Sequence, residues 1–427
     1  MPTLDVEKAR SHFPALKNGY IFADNAGGSQ CLKDVVDRVS DYLLNTNVQL
    51  GADYSVSVES TNRVNDGMKD TAVLINASSP NEIVFGSSST SLVENLVRAI
   101  DSDVLNGEEI IITGEHEANV GAWTKLAKRR NLVFKTWAHT GLPETPNNPY
   151  AVQLAISTLT PLISSKTRIV TFTACSNILG SVVDVEAVIK HIREVAKEKG
   201  ARRVEVCIDC VAYAPHRRID VKKWDVDYCF FSYYKVYGTH TAVMFVRSEC
   251  LNRLTSLAHH FLKVDSSPYK LQPGGPGYEL IYATTGVLPY LKSLAPSDDI
   301  DEAFNLIAEH EQNLIALLLD FLTSAKARER GVLIVGSEHG GPTRVPTVSF
   351  VVVGKNPVKS RDVVAVFDKK GGMGIRYGHF YAYTLVASLQ PPLPDIGDAV
   401  VRISLVHYNT VEEVQKLIAV LKEALNI

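Results

Sequence analysis

Thiols are scarce in this 427-residue chain: it has six cysteines, and none follows Cys250. Cys31, Cys175, Cys207, Cys210, Cys229 and Cys250 do not form the doubled C-x-x-C spacing of a zinc site, so no metal is expected. Cys207-Ile208-Asp209-Cys210 has the C-x-x-C form, but it spans the end of an apolar run and reads as small core residues. This usage suits a reduced, cytoplasmic protein. An excess of one charge is also missing. The net charge is −3, which argues against a general electrostatic pull toward nucleic acid. The basic clusters Lys128-Arg129-Arg130 and Arg217-Arg218 are short and read as solvated ends of helices or loops. No apolar run reaches membrane-spanning length, and the opening Met-Pro-Thr-Leu-Asp-Val-Glu-Lys has no signal core. The final Glu423-Ala424-Leu425-Asn426-Ile427 carries no retention or peroxisomal address. The expectation is a cytoplasmic protein without a membrane partner.

Apolar residues, by contrast, are plentiful. At 45% hydrophobic content the chain supports a large core, and its length implies two domains. Between residues 80 and 250, short β-branched runs alternate with helical patterns. Strands are expected at Glu82–Phe85, Glu109–Thr113, Leu132–Lys135, Arg168–Thr173, Val204–Asp209, Val226–Phe231 and Ala242–Val246. Helices are expected at Ser91–Asp101, Ala122–Arg130, Ala151–Leu159 and Val185–Lys199. Such alternation predicts an α/β fold with a mostly parallel, seven-stranded sheet covered on both faces. Ligands of these sheets bind beyond the carboxyl ends of the strands. Later the pattern becomes α+β. A helix at Ile300–Ala325 is followed by strands at Val332–Val335 and Thr347–Val353, a helix at Arg361–Lys369, a strand at Val400–Ser404 and a helix at Val411–Leu425. Thr410 with Glu413 forms the start signal of that last helix. The segment Leu4–Leu16 reads as a helix packed on this second part. The expected division is a large domain at 17–285 and a small one made of 1–16 and 286–427. Loops at 141–149 and 272–277, rich in Pro, Gly and Asn, are candidate rims of a site.

Chemistry gathers at the strand ends. Lys235 follows an apolar strand, and Asp209 ends another. This pair suits pyridoxal phosphate: the Lys amine forms a Schiff base with the aldehyde, and the Asp keeps the pyridine nitrogen protonated. Ser87-Ser88-Ser89-Thr90-Ser91 joins a strand to a helix and offers hydroxyls and free N–H groups to an anion. His116 follows the strand Glu109–Thr113 and could stack on a flat ring. Asn177, after another strand, could donate to the cofactor or to substrate. Ser232 and Tyr234 carry hydroxyls within reach of a phosphate beside Lys235. Each alone has a structural reading, as a helix cap, a packed histidine, a turn Asn or a surface Lys; their order along the chain favours the chemical one.

The motifs resemble those of the class V aminotransferase group, which includes the cysteine desulfurases and has the fold-type I pyridoxal phosphate architecture. Asp24-Asn25-Ala26-Gly27 resembles its N-terminal "DNAA", Ser176–Gly180 its "SNVLG", and Ser232–Gly238 its "SGHKLYGP". Asp209 with Ala214-Pro215-His216 resembles "VDGAQAAPH", and Arg402–Thr410 resembles "RASLAFYNT". Tyr282–Gly286 resembles the "GTP" segment that reaches the partner subunit's phosphate. The resemblance implies that Ser89, Thr90, Ser232 and Tyr234 bind phosphate, with Thr285 serving across a homodimer interface. It implies that His116 stacks on the ring, that Asn177 contacts the cofactor, that Asp209 pairs with its nitrogen and that Lys235 carries it. Arg402 would clamp the carboxylate of a small amino-acid substrate. Arg376 and Asn25 would meet the rest of that substrate, while Tyr54, Tyr377, His379 and Tyr381 either shape its pocket or serve as packing, with Tyr54 on the rim loop 45–54.

Departures from the pattern redirect the expected activity. Ala212 stands where the group has Gln, and Tyr234 where it has the His before the lysine. The desulfurase loop "R-x-G-H-H-C" becomes Arg376-Tyr377-Gly378-His379-Phe380-Tyr381, so Tyr381 replaces the cysteine nucleophile. A persulfide needs a thiolate; an ordinary desulfurase is therefore not expected. Cysteine-less members with this lysine motif resemble fungal enzymes of natural-product pathways, such as the decarboxylative aldolase of ustiloxin formation and the Mannich cyclase of loline formation. That points to carbon–carbon bond formation or cyclisation through a carbanion on the amino acid's α-carbon, with Lys235 as proton shuttle. A carbon–sulfur lyase is the alternative, and an amino-acid epimerase the next.

Overall fold

A computed structural model describes residues 3–262 and 268–427. Seven runs of branched and aromatic residues form one sheet: β1 (Ile83–Gly86), β2 (Glu109–Thr113), β3 (Val133–Trp137), β4 (Thr167–Thr173), β5 (Glu205–Asp209), β6 (Tyr228–Ser232) and β7 (Ala242–Val246). Their order across the sheet is β1-β7-β6-β5-β4-β2-β3. Only β7 runs against its neighbours; the remaining pairs are parallel. The carboxyl ends of β1, β6, β5, β4 and β2 therefore open on one edge. Alternate side chains point to opposite faces. Ile111, Val170, Val206 and Phe231 enter one buried layer, while Ile110, Ile169, Cys207 and Phe230 enter the other. Both faces are covered, which is why these strands read as unbroken apolar runs.

A second sheet contains β8 (Val332–Val335), β9 (Thr347–Val352), β10 (Arg376–Gly378) and β11 (Val400–Ser404), in the antiparallel order β8-β9-β11-β10. Helices Ile300–Leu322, Ser360–Lys370 and Val411–Leu425 cover it with Leu314, Leu318, Phe367, Leu417 and Leu421. The last of these starts as expected, with Thr410 accepting from Glu413 N and the Glu413 side chain bonding back to Thr410 N. The sheets meet where Ser349 Oγ donates to Ile178 O at 2.7 Å, and the N-terminal segment joins the second sheet where Asp24 bridges to Ser404.

Several expected elements differ. Residues 151–159 are not one helix: Val152–Gln153 pairs with Thr140–Gly141, and only Ile156–Leu159 is helical. The helix expected to reach Ala325 stops at Leu322, and Ser324 caps a new one, Ala325–Arg330. The N-terminal helix is confined to Val6–Ser11, and Phe13 beyond it packs edge-on against Tyr237, Tyr290 and Tyr408. Two helices have no sequence expectation: Lys33–Asn45 packs on the helix Tyr278–Ala283, and Ser55–Leu74 packs on the same helix and on β1. Arg217 is not a solvated end: it pairs with the buried Glu311 at 3.1 Å. Among the described residues, no helix is long and apolar enough to cross a membrane.

Candidate active site

The carboxyl ends of the first sheet face a cavity of about 480 Å³ lined by Thr90, His116, Asn177, Tyr234, Lys235, Arg376, Tyr381 and Arg402, among others. Lys235 closes a short 3-10 turn, Tyr233–Lys235, directly after β6. Its amine is buried, and burial, helped by Arg402 and opposed by Asp209 and Asp24, lowers its pKa to about 8. Asp209 ends β5. Its Oδ1 accepts from Val211 N at 2.9 Å, and burial raises the carboxyl to about 6. His116 stands beyond β2. Its Nδ1 accepts from Ala118 N at 3.2 Å, and burial, then Lys235 and Arg402, lowers its pKa to about 4. The ring is thus neutral at pH 7 and carries its proton on Nε2.

The ends of β2 and β4 are braced together. Glu115 Oε1 bonds His139 Nε2 and Glu115 Oε2 accepts from Ser176 Oγ, each at 2.8 Å. Their chain neighbours, His116 and Asn177, line the cavity. At the end of β1, Ser88 accepts from Ser91 N at 3.1 Å and starts the helix Ser89–Ile100. Its first turn leaves the N–H groups of Ser89 and Thr90 for an anion. Beside it, the hydroxyls of Ser89 and Ser232 are 2.7 Å apart and buried.

The opposite wall comes from the second sheet. Arg402 on β11 is 1% exposed; its Nη2 donates to Asp24 Oδ1 at 2.8 Å and its Nη1 to Asn177 O at 3.2 Å. Burial lowers its pKa, and Asp24 opposes the shift. Arg376 lies directly across on β10 and reaches the other Asp24 oxygen at 3.4 Å. Between these strands the chain turns through two non-glycine residues in the left-handed region, Phe380 (φ 48°) and Tyr381 (φ 60°). Each costs about 1–2 kcal/mol. Large-sheet residues hold the turn: Asn177 Nδ2 donates to Phe380 O at 3.0 Å and Glu117 N to Tyr381 O at 2.8 Å. Tyr381 lies 5.6 Å from the His116 ring.

Six expected site residues do not line the cavity: Ser89, Asp209 and Ser232, which are buried, and Asn25, Tyr54 and Thr285. Asn25 is spent on structure: its amide donates to Phe22 O, Ser404 O and Asn409 Oδ1, while its oxygen accepts from Tyr408. Its neighbour Asp24, also outside the lining of the cavity, accepts from the Arg402 and Arg376 guanidiniums instead. Tyr54 precedes the helix Ser55–Leu74, is 53% exposed and lines no part of the cavity. Thr285 is buried, with its hydroxyl donated to Tyr282 O at 2.7 Å, outside this chain's own cavity. The loops 141–149 and 272–277 do not line the cavity either; the first borders a separate one with Arg328, Glu338 and His339. Phe380, Asp24 and Glu115 went unassigned by sequence reasoning, although Asp24 lies inside the N-terminal motif and Phe380 inside the loop that ends at Tyr381.

The large-sheet wall fits pyridoxal phosphate. Lys235 offers a buried amine, the first turn of the helix Ser89–Ile100 offers unused N–H groups, and Asp209 has no salt-bridge partner among the described residues, leaving it free for a pyridinium N–H. No metal cluster accompanies them among the described residues. Fold and site together define a fold-type I pyridoxal phosphate enzyme. The chain belongs to the aminotransferase class-V family, whose model matches residues 21–417, and pyridoxal phosphate is its cofactor. It is 38% identical to the aminotransferase-like protein FGM3 of Gibberella zeae over 99% of both chains. It is 32% identical to the cysteine desulfurase-like protein ustD of Aspergillus flavus, over 98% of this chain and 90% of that one. An apo cysteine desulfurase of Thermococcus onnurineus shares the fold with a TM-score of 0.82 at 23% identity, over 100% of this chain and 99% of that one.

Proposed function

We propose that the chain binds an amino acid in this cavity, develops negative charge at its α-carbon and uses that carbon to form a carbon–carbon bond or close a ring, as in natural-product biosynthesis. One observation carries the reading: no thiol faces the cavity. Tyr381 stands at its mouth in place of a cysteine, five cysteines are buried, and Cys31 borders a different cavity behind Tyr234. Pyridoxal phosphate, when bound, supplies an electron sink for charge at the α-carbon. Lys235 would hold its aldehyde. When free, the Lys235 amine would serve as base at the α-carbon, and its pKa of about 8 leaves a neutral fraction available near neutral pH. Asp209 would keep a proton on the ring nitrogen, neutral His116 would stack on the ring, and Thr90, Ser89, Ser232 and Tyr234 would hold the phosphate. Arg402 receives the substrate carboxylate, with Arg376 and Tyr381 at the entrance.

The working unit is a homodimer with the site at its interface. The Thr285 segment supports this, as do Val36, Leu43 and Leu44, exposed apolar side chains of the helix Lys33–Asn45 that a second copy would cover.

The test begins with the purified protein. Borohydride should bleach its cofactor absorbance and leave the label on Lys235, and Lys235→Ala should cost at least about a thousand-fold in turnover. A protein that takes up no pyridoxal phosphate overturns the reading. Incubation with single amino acids in deuterated water, with and without added aldehydes, should give a product of higher mass with a new carbon–carbon bond. Sulfide and pyruvate from cysteine or its conjugates would make the protein a carbon–sulfur lyase instead. A D-amino acid with α-deuterium and no new bond would make it an epimerase.

A further inference from the structure

Arg402 is held on every side but one. Asp24 takes Nη2, Asn177 O takes Nη1, and Nε has no partner. The guanidinium carbon lies 3.6 Å from the centroid of the Phe380 ring, so the two groups are in face contact. Arg376, directly opposite on β10, lies 5.4 Å from the same ring. Like charges facing each other across paired strands repel. Asp24 compensates in the plane of the guanidinium, and Phe380 compensates from its face. The buried Phe380 ring reaches this position only because residues 380 and 381 both take left-handed backbone, with their carbonyls held by Asn177 and Glu117. A leucine could fill the same space, but it would present no π face to the cation.

We propose that Phe380 is a positioning residue: stacked on the Arg402 guanidinium, it fixes the plane in which that group meets a carboxylate, and so selects amines that carry one. The inference rests on the reading of Arg402 as the carboxylate clamp. Arg376 is half-exposed and farther from the ring, so its plane is not fixed in this way. Selection therefore falls on the α-carboxylate at Arg402 rather than on any second group near Arg376.

The holoenzyme tests this without an assay of turnover. The standard amino acids are screened for the one that most changes the cofactor absorbance; that amino acid and the amine left by removing its carboxylate are then titrated. Phe380→Leu should weaken the amino acid by about three- to thirty-fold, the range expected for one lost cation–π contact, and leave the amine unchanged. Phe380→Trp, which keeps a π face, should restore most of the loss. Equal weakening of amino acid and amine in Phe380→Leu, or no weakening of either, overturns the inference. Arg402→Ala separates it from its foundation: if that variant also binds the amino acid normally, the clamp assignment itself fails.

Discussion

The wall built by the large sheet and the wall built by the small sheet hold their polar groups in different ways. On the first, His116, Asn177, Asp209 and Lys235 sit at or within a few residues of strand ends whose flanks are buried on both faces. The sheet itself supplies their rigidity. On the second, Arg402 lies within a strand, Arg376 lies half-exposed on an edge strand, and Phe380 and Tyr381 occupy a strained turn. Here placement depends on contacts across the gap, chiefly with Asn177, Glu117 and Asp24. Groups suited to the cofactor thus lie on the stiff part, together with the departures Ala212 and Tyr234, and Tyr381 lies on the contingent part.

The strongest test of this division removes a charge from the stiff wall. Asp209→Asn should lower turnover by about 10²–10³-fold, the cost of one preorganised electrostatic contact. It should also stabilise the cofactor-free protein. The folded carboxyl has its pKa raised from 3.8 to about 6, chiefly by burial. Between those values the folded state keeps a proton that the unfolded chain releases, so stability falls as pH rises through that window. Above it the penalty is complete, on the order of 2–3 kcal/mol. Asn does not titrate, so urea midpoints of variant and parent should diverge between pH 4 and pH 6 and stay apart at pH 7. Coincident midpoints would mean that the carboxyl is better solvated than the stiff wall implies.

The seam between the walls is the next place to press. Gly180 has φ 67°, and a Cβ there would lie 2.2 Å from Thr347 O on β9. Gly180→Ala should therefore cost about 2–4 kcal/mol through backbone strain and overpacking. Gly141→Ala, where a Cβ meets nothing within 4 Å, should change the same urea midpoint by less than about 0.5 kcal/mol. Similar losses at both glycines would mean that the two sheets are not packed as closely as this contact requires.

The same contrast explains what could be read from the sequence. β2 and β7 match their expected bounds because burial on both faces leaves an unbroken apolar signal. The helix Ser55–Leu74 gave little: Ser57, Ser60, Gly67 and Thr71 interrupt Val64, Ala72 and Leu74 on its buried side, and Gly67 sits tight against Ile281. An apolar stripe at helical spacing is what sequence inspection detects, and here the stripe is broken by small and polar residues. Residues 151–159 misled in the opposite sense, because a brief apolar pattern conceals a short strand pair and a single helical turn. In the site, Lys235 and Asp209 are legible from turn chemistry after strands. The substrate wall is less so. Asp24 and Asn25 are neighbours where a bridge to Ser404 runs into a turn, and the motif alone does not say which one bonds to Arg402. Phe380 acts through Arg402, which is 22 positions away in the chain and adjacent only after folding.

The smallest expected effect concerns Tyr381, the residue standing where a desulfurase has its nucleophile. Its side chain is 68% exposed, and its hydroxyl makes no hydrogen bond among the described residues. A group so placed costs little to remove, so Tyr381→Phe should leave stability within about 0.5 kcal/mol of the parent. If the ring only shapes the entrance beside His116, turnover and KM should each move by less than about threefold, below the energy of a typical hydrogen bond. A hundred-fold fall in kcat with KM preserved would instead make the phenol a proton donor in the reaction. The substrate wall would then supply chemistry as well as recognition. Comparing that ratio with the loss in Asp209→Asn measures how cleanly the two walls divide the work.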